Sequence, residues 1–381
     1  MANSVYIAGS GTFLPGNPIP FDQIDTVLGE LSEAPVKLKR WLKNTGKIMG
    51  ELLEVKRFHY ALDPETRQFT EDNISMATKA ARAALDHAQI GPEHIDLICY
   101  GSAHQDQMPT PSVRIQEALE IEVCDELSIH ANCTSAYKAL YLAHELIKNG
   151  KNRNALVISA NIASSELRAE YYNQKLLDKE SLFLRWFLCD GAGAVLLTSN
   201  PKKSKGFELK HSYIESVGGK RAPHMFNLRP AYWMNPKEEF ELGYHHLRQR
   251  FRNSLATEVF QEASGSVFLG GFKRMMAETN MDWESIKYLQ INLPTKHIID
   301  SVMEEFRKLG VPESTLYTKL GELGYSGPPM VFICLDKMIR EEHFEPGDLV
   351  ASFVTEVSKF MQAGYVIECI PTMQDAELQT E

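Results

Sequence analysis

The strongest constraint on the fold is a rhythm. Short apolar runs of strand length alternate with stretches whose apolar residues recur at helical spacing. Val5 to Ile7, Ile95 to Tyr100, Leu127 to Ile129, Ala155 to Ser159 and Ala192 to Leu197 read as strands. Between them, Ile74 to Ala88, Ser112 to Leu119 and Ser135 to Lys148 read as helices, the last stopped by Asn149-Gly150 with glycine in the usual terminating position. After Asn200-Pro201 the pattern starts again. Strands are expected at Phe207 to Val217, Tyr288 to Ile291, Leu349 to Phe353 and Ala363 to Ile370, and helices at Lys296 to Lys308 and Pro329 to Glu342. Apolar strands interleaved with helices give an α/β fold whose sheets are covered on both faces. The two halves share a strand–helix–strand rhythm without a literal repeat. The short polar link near Pro201 to Lys205 divides the chain into residues 1–202 and 203–381.

Bulk properties exclude several classes of function. A formal net charge of −10 with acidic and basic residues interspersed shows no basic face for nucleic acid. No apolar run approaches the ~18 residues of a membrane span, and the opening MANSVYIAGSG lacks the form of a signal peptide, so a cytoplasmic protein is expected. The six cysteines (Cys99, Cys124, Cys133, Cys189, Cys334 and Cys369) form no CxxC pair and accompany no histidine cluster. Reduced thiols follow, and no structural zinc is expected. The polar end from Thr372 to Glu381 reads as a loose tail.

The most informative stretch is DELSIHANCTSAYKALYLAHELIKNG, Asp125 to Gly150. A strand ends, and a cysteine among small and polar residues opens a long helix. A helix start carries partial positive charge and unpaired N–H groups. Both favour thiolate over thiol at Cys133 and offer donors to an oxyanion. The bland alternative is a small buried hydrophobe, and spacing alone leaves the two readings open. The other cysteines lie in apolar elements or away from a helix start and read as structural. In CDGAGAVLL, Cys189 to Leu197, Gly191 and Gly193 suggest a tight turn where backbone passes close to another segment.

Together these segments resemble 3-oxoacyl-ACP synthase III and its relatives in the thiolase superfamily. AGSGTFLP (Ala8 to Pro15), EVKRFHY (Glu54 to Tyr60), IDLICYGSAHQDQMPTPSVRIQEALEI (Ile95 to Ile121), ANCTSAYKAL and CDGAGAVLL match in order and spacing, so the likeness runs from Val5 to Leu197 and continues beyond only by pattern. The resemblance implies a thiolase fold: two similar halves with mixed five-stranded sheets in an αβαβα arrangement. It also implies a homodimer whose buried tunnel admits a phosphopantetheine arm. No cofactor would be bound permanently. Coenzyme A or a phosphopantetheine thioester would be the substrate, delivered as acyl-CoA or on acyl carrier protein, and Cys133 would take the acyl group.

The chain departs from that family at its other catalytic positions. Asn292, in YLQINLPTKHIID, stands where the family has a histidine, and Tyr325, in LGYSGPP, where it has an asparagine. The glycine-rich loop near the C-terminus is replaced by SFVTEVSKFMQAG, Ser352 to Gly364. Asn292 and Tyr325 can each donate a hydrogen bond to a developing negative charge, but neither is a base near neutral pH, since a phenol titrates at about 10. An acyltransferase passing its acyl group to an oxygen or nitrogen nucleophile is therefore expected first. A decarboxylative C–C condensing enzyme, or a non-catalytic partner of a ketosynthase, are the alternatives.

The remaining polar candidates carry bland readings beside functional ones. His104 reads first as a satisfied loop histidine and second as a tunnel residue, while His130 stands equally as a pocket or interface residue. His224, His245 and His246 lie in an insertion, Pro223 to Gln261, as candidates for the missing base. Glu356 reads as a solvated loop carboxylate. Trp41, with Lys37, Lys39 and Arg40, reads as a solvated helix face before a platform for adenine or a carrier protein.

Overall fold

The computed structural model describes residues 2–104, 108–172, 177–227, 235–250, 260–263 and 265–371. The expected tail from Thr372 and part of the insertion lie outside these residues. Ten strands build the principal sheet: β1 (Tyr6–Phe13), β2 (Leu97–Ser102), β3 (Asp125–His130), β4 (Asn154–Asn161), β5 (Gly191–Thr198), β6 (Phe207–Ser216), β7 (Ile286–Ile291), β8 (Leu316–Tyr317), β9 (Leu349–Glu356) and β10 (Met361–Cys369). Their order is β8-β7-β9-β10-β6-β1-β5-β4-β2-β3. Each half of the chain thus contributes five neighbouring strands. The two groups meet at β1 and β6 through the Tyr6–Glu208 pair. Within each group parallel and antiparallel pairs are mixed: β2 runs parallel to β3 and β4, whereas β4 and β5 are antiparallel.

Among the described residues are seven longer helices: α1 (Val36–Leu53), α2 (Asn73–Ala88), α3 (Pro111–Ala118), α4 (Ser135–Lys148), α5 (Val267–Thr279), α6 (Lys296–Arg307) and α7 (Met330–Glu341). Helix α2 covers the outer face of β1, β4 and β5, and α5 packs on β6, β9 and β10. Between the two groups of strands lies α4, touching β2 and β4 on one side and β6 and β10 on the other. Helix α7, from the second half, packs on β1 and β5. The layers are helix, sheet, helix, sheet, helix, and the thiolase-like fold expected from the sequence is present.

Local chemistry explains where these helices begin. Asp72 caps α2, its carboxylate accepting from the Ser75 amide at 2.7 Å while Ser75 Oγ accepts from the Asp72 amide at 2.9 Å. Such a reciprocal pair satisfies donors that a helix start leaves open. Helix α4 is different, because Thr134 at its start makes no capping bond with its own side chain. A carboxylate from the other half of the chain takes that role.

Glycine sets how closely α4 and α7 approach the strands. Gly193 lies inside β5 rather than in the turn read from the sequence, and a β-carbon there would stand 2.8 Å from Phe332 Cβ on α7. The expected close approach is real, but it is helix against extended strand. A β-carbon on Gly101 in β2 would lie 2.3 Å from the Ser135 carbonyl oxygen at the start of α4. Gly101→Ala is expected to push α4 off the strand and destabilise the fold by about 1–3 kcal/mol, the usual cost of overpacking. Urea unfolding checks this, and an unchanged midpoint contradicts it.

Candidate active site

The chain leaves β3 at His130 and reaches Cys133 before α4 begins at Ser135. The connection is tight. Ser135 N–H and Oγ–H both donate to the Asn132 carbonyl at 2.9 Å, and the Ala131 amide donates to the Ser102 carbonyl at 3.3 Å, at the end of the neighbouring strand. This geometry presents Cys133, half-buried, to a cavity of about 520 Å³. Apolar side chains such as Leu167, Phe183, Phe187, Phe268 and Val302 dominate its wall. The sulfur therefore stands beside a helix start and an enclosed space, as the functional reading requires.

Two side chains from the second half reach the nucleophile's turn. Tyr325 is buried, and its hydroxyl donates to Cys133 Sγ at 3.0 Å. Glu356 accepts from the Thr134 amide at 2.9 Å and from Thr134 Oγ at 2.6 Å, and also from the Ser358 hydroxyl. The solvated-loop reading of Glu356 is thereby corrected, for the residue is 1% exposed and ends β9. A helix terminus attracts a carboxylate for the same reason that it would attract an oxyanion. The strand expected over Leu349 to Phe353 runs three residues further, to Glu356.

A second correction concerns the thiol. Burial pushes the Cys133 pKa up to about 12, the Glu356 charge adds to the rise, and the hydrogen bond from Tyr325 opposes it. The helix start does not by itself hold a resting thiolate here, because a buried carboxylate already occupies it.

Asn292 is buried with its Nδ2–H donating to the Tyr137 hydroxyl at 3.4 Å, and Oδ1 meets no hydrogen-bond partner among the described residues. Tyr137 is in turn bonded to Ser352 Oγ at 2.7 Å. The cavity wall is formed instead by the following residues, Leu293, Pro294 and Thr295. Of the residues picked from the sequence, Cys133 and Tyr325 are brought into direct contact, while Asn292 joins a polar chain running through Tyr137.

The histidines divide. His104 and His130 both line the cavity, and His104 Nε2 lies 3.3 Å from Glu166 Oε1. His246 also lines it, stacked on Tyr172 at 4.7 Å, with burial lowering its pKa to about 3. His245 packs between Tyr171 and Phe240, and His224 packs edge-on against Phe260 with burial lowering its pKa to about 4. Of the three, His246 lines the cavity. Trp41 packs on Trp186, with ring centroids 5.2 Å apart, and Lys37, Lys39 and Arg40 are exposed. Glu166 was missed in the sequence. Its signal was position alone, since it lies in the short helix Ser164–Leu167 after β4, whose last residue, Asn161, also lines the cavity.

Comparison with known proteins agrees with this picture. A model of the family described as 3-oxoacyl-[acyl-carrier-protein (ACP)] synthase III matches residues 127–218. The beta-ketoacyl-[acyl-carrier-protein] synthase III of Clostridium perfringens (strain SM101 / Type A) is 26% identical over 345 residues, covering 90% of this chain and 92% of the relative. Among solved structures, AbyA1, a tetronic acid condensing enzyme, superposes with a TM-score of 0.72 at 19% identity, covering 96% of this chain and 99% of that one. The 3-oxoacyl-[acyl-carrier-protein] synthase III of Aquifex aeolicus VF5 gives 0.71 at 20% identity, covering 96% and 99%. At such identities the structural likeness speaks for the fold.

The electrostatics generate a prediction. Removing the Glu356 charge takes away a contribution that raises the Cys133 pKa, so Glu356→Gln should lower that pKa and enlarge the thiolate fraction at pH 8. Alkylation of Cys133 by iodoacetamide is expected to quicken several-fold. A slower or unchanged rate contradicts the assignment.

Proposed function

We propose that this chain, which is similar to the ketosynthase III family, is an acyltransferase that carries its acyl group on Cys133 and passes it to an oxygen or nitrogen nucleophile. The donor is an acyl-CoA or an acyl carrier protein. Its thioester carbonyl is attacked by Cys133, the C–S bond to the carrier breaks, and the proton from Cys133 ends on the departing thiol. The Tyr325 hydroxyl supports the sulfur as charge builds on it, at 3.0 Å. The apolar wall of the cavity suits the hydrocarbon part of the acyl group.

The observation that carries this reading is the pairing of Tyr325 and Glu356 at the nucleophile. Decarboxylative condensation builds an enolate, and its rate rests on donors aimed at that charge. Here a carboxylate already occupies the Thr134 amide, one of the donors a helix start offers. Added negative charge beside it is disfavoured, whereas attack by a neutral alcohol or amine on a thioester asks for less. Condensation is the second reading, favoured by the names of the relatives. A non-catalytic partner subunit is disfavoured by a cysteine that faces an open cavity. We place the enzyme in the cytoplasm as a homodimer. β3 stands at the end of the strand order, and exposed Val123 lies just before it. No helix of the described residues is long and apolar enough to cross a membrane.

Intact-mass measurement after mixing with acyl-CoAs and acyl carrier proteins should find one acyl group on the wild type and none on Cys133→Ala. An adduct that survives Cys133→Ala, or no adduct with any donor, ends the proposal. Tyr325→Phe removes a hydrogen bond to a developing thiolate, worth about 1.5–3 kcal/mol, and should slow acylation roughly 10- to 100-fold. Acylation at the wild-type rate would remove Tyr325 from the mechanism.

A further inference from the structure

An acyl donor has to reach the cavity from outside, and one wall of the entrance carries charge opposite to that of the whole chain. The last turn of α1 supplies Met49 and Leu52 to the cavity that holds Cys133, and Leu52 is 45% exposed, so α1 ends at the rim. Exposed His297 near the start of α6, which packs on α1, lines the cavity as well. Along α1 stand Lys37, Lys39, Arg40, Lys43 and Lys47, all exposed, against a single carboxylate, Glu51. The helix therefore has a formal charge of +4 in a chain of −10.

These cations do not serve the helix itself. Lys39, Lys43 and Lys47 recur at four-residue spacing, so like charges stand on one face and repel. Lys37 and Lys39 lie in the first turn, where the positive end of a helix disfavours cations, and that turn holds no acidic residue. None of the five side chains makes a hydrogen bond or ion pair among the described residues. The apolar stripe of α1 faces inward: Leu42 packs on the core, and Met49 and Leu53 are buried. Exposed apolar side chains stand at the two ends of the helix, Val36 at one and Ile48 with Leu52 at the other. A helix that lies in a membrane turns its apolar stripe outward, which α1 does not. From Lys37 to Lys47 the cations spread along about 15 Å of axis, at about 1.5 Å per residue. A free coenzyme gathers its phosphates in one cluster and would meet only the nearest of them. The flank of an acidic protein can meet them all.

We propose that the basic face of α1 is the docking surface for an acidic carrier protein, and that this carrier, rather than a free coenzyme thioester, is the acyl donor. Carboxylates on the partner pair with Lys39, Lys43 and Lys47, which fixes its orientation and speeds encounter. Ile48 and Leu52 add a small apolar contact at the rim. The carrier's flexible thioester arm enters the cavity past Leu52. Cys133 Sγ bonds to the acyl carbonyl carbon, the bond from that carbon to the arm's sulfur breaks, and the Cys133 proton ends on the arm's thiol. This proposal rests on the acyl-enzyme reading above, and its test separates the two.

The wild type is compared with a charge-reversed α1 (Lys39→Glu, Lys43→Glu and Lys47→Glu together) and with a control reversed at exposed cations elsewhere (Lys202→Glu, Lys203→Glu and Lys220→Glu together). Each is loaded from a bacterial fatty-acid carrier protein bearing an octanoyl thioester, or from octanoyl-CoA, and acylation of Cys133 is followed by rapid-quench intact mass. Reversal on α1 should raise the carrier concentration needed for half-maximal loading on the order of tenfold or more, because three attractive pairs become repulsions. Its loading from octanoyl-CoA, and both loadings of the control, should stay within about threefold of the wild type, as surface substitutions do. Added salt should weaken carrier loading of the wild type and bring it closer to the α1 variant. Fluorescence anisotropy of the labelled carrier reads docking without acylation. Equal carrier dependence in the wild type and the α1 variant overturns the proposal, as does a weakening shared by octanoyl-CoA or by the control. Wild-type loading from octanoyl-CoA but not from the carrier also overturns it, and leaves the acyl-enzyme reading standing. Binding to phosphatidylglycerol vesicles that the α1 variant loses, with carrier loading unchanged, assigns the face to a membrane instead. Carrier bound through α1 with no acyl group on Cys133 from either donor supports the docking surface and refutes the acyl-enzyme reading.

Discussion

The helix that follows Cys133 is held by the other half of the chain, and the site exists only because of that grip. Helix α4 belongs by sequence to the first half but runs between the two groups of strands. Glu356 from β9 caps its start through Thr134, Tyr137 bonds to Ser352 on the same strand at 2.7 Å, and His144 bonds to Ser212 on β6 at 2.7 Å. From the opposite side Gly101 lets β2 lie against the first turn. Buried polar contacts of this kind are costly to leave half made. The position of the sulfur thus reports the docking of both halves.

The same grip shapes the chemistry. A bare helix terminus would lower the pKa of a cysteine placed there and hold an oxyanion. In this chain a buried carboxylate sits on that terminus, and the thiol is pushed up to about 12. The tyrosine hydroxyl at the sulfur answers part of that cost. In the proposed reaction Cys133 would become a thiolate only as it reacts, and its surroundings would tolerate a neutral acceptor better than a second developing anion.

Much of this was legible in the sequence. Strand and helix rhythm gave the layered α/β fold, because an apolar run bounded by turn residues has few ways to bury itself. The strand–Cys–helix passage marked Cys133, and the aligned loop marked Tyr325, which meets the sulfur. What escaped the sequence is contact between distant segments. Glu356 lies more than two hundred residues from Thr134 in the chain, and a carboxylate at a strand end looks like solvent-facing decoration until the helix it caps is in view. Asn292 follows directly on β7, yet its hydrogen bond to Tyr137 depends on α4 passing between the two groups of strands. Gly193 was read as a turn because small residues preceded the strand, when it was the strand itself that had to lie against α7.

In the proposed reaction the charge arrangement at Cys133 favours transfer to a heteroatom over carbon–carbon bond formation. The most direct measurement is release of labelled carbon dioxide from a malonyl thioester by the acylated enzyme, scored against the fate of the acyl group. The account predicts that the acyl group leaves to an oxygen or nitrogen acceptor with no carbon dioxide above the level given by Cys133→Ala. Carbon dioxide released in equal amount with a 3-oxoacyl product would contradict it.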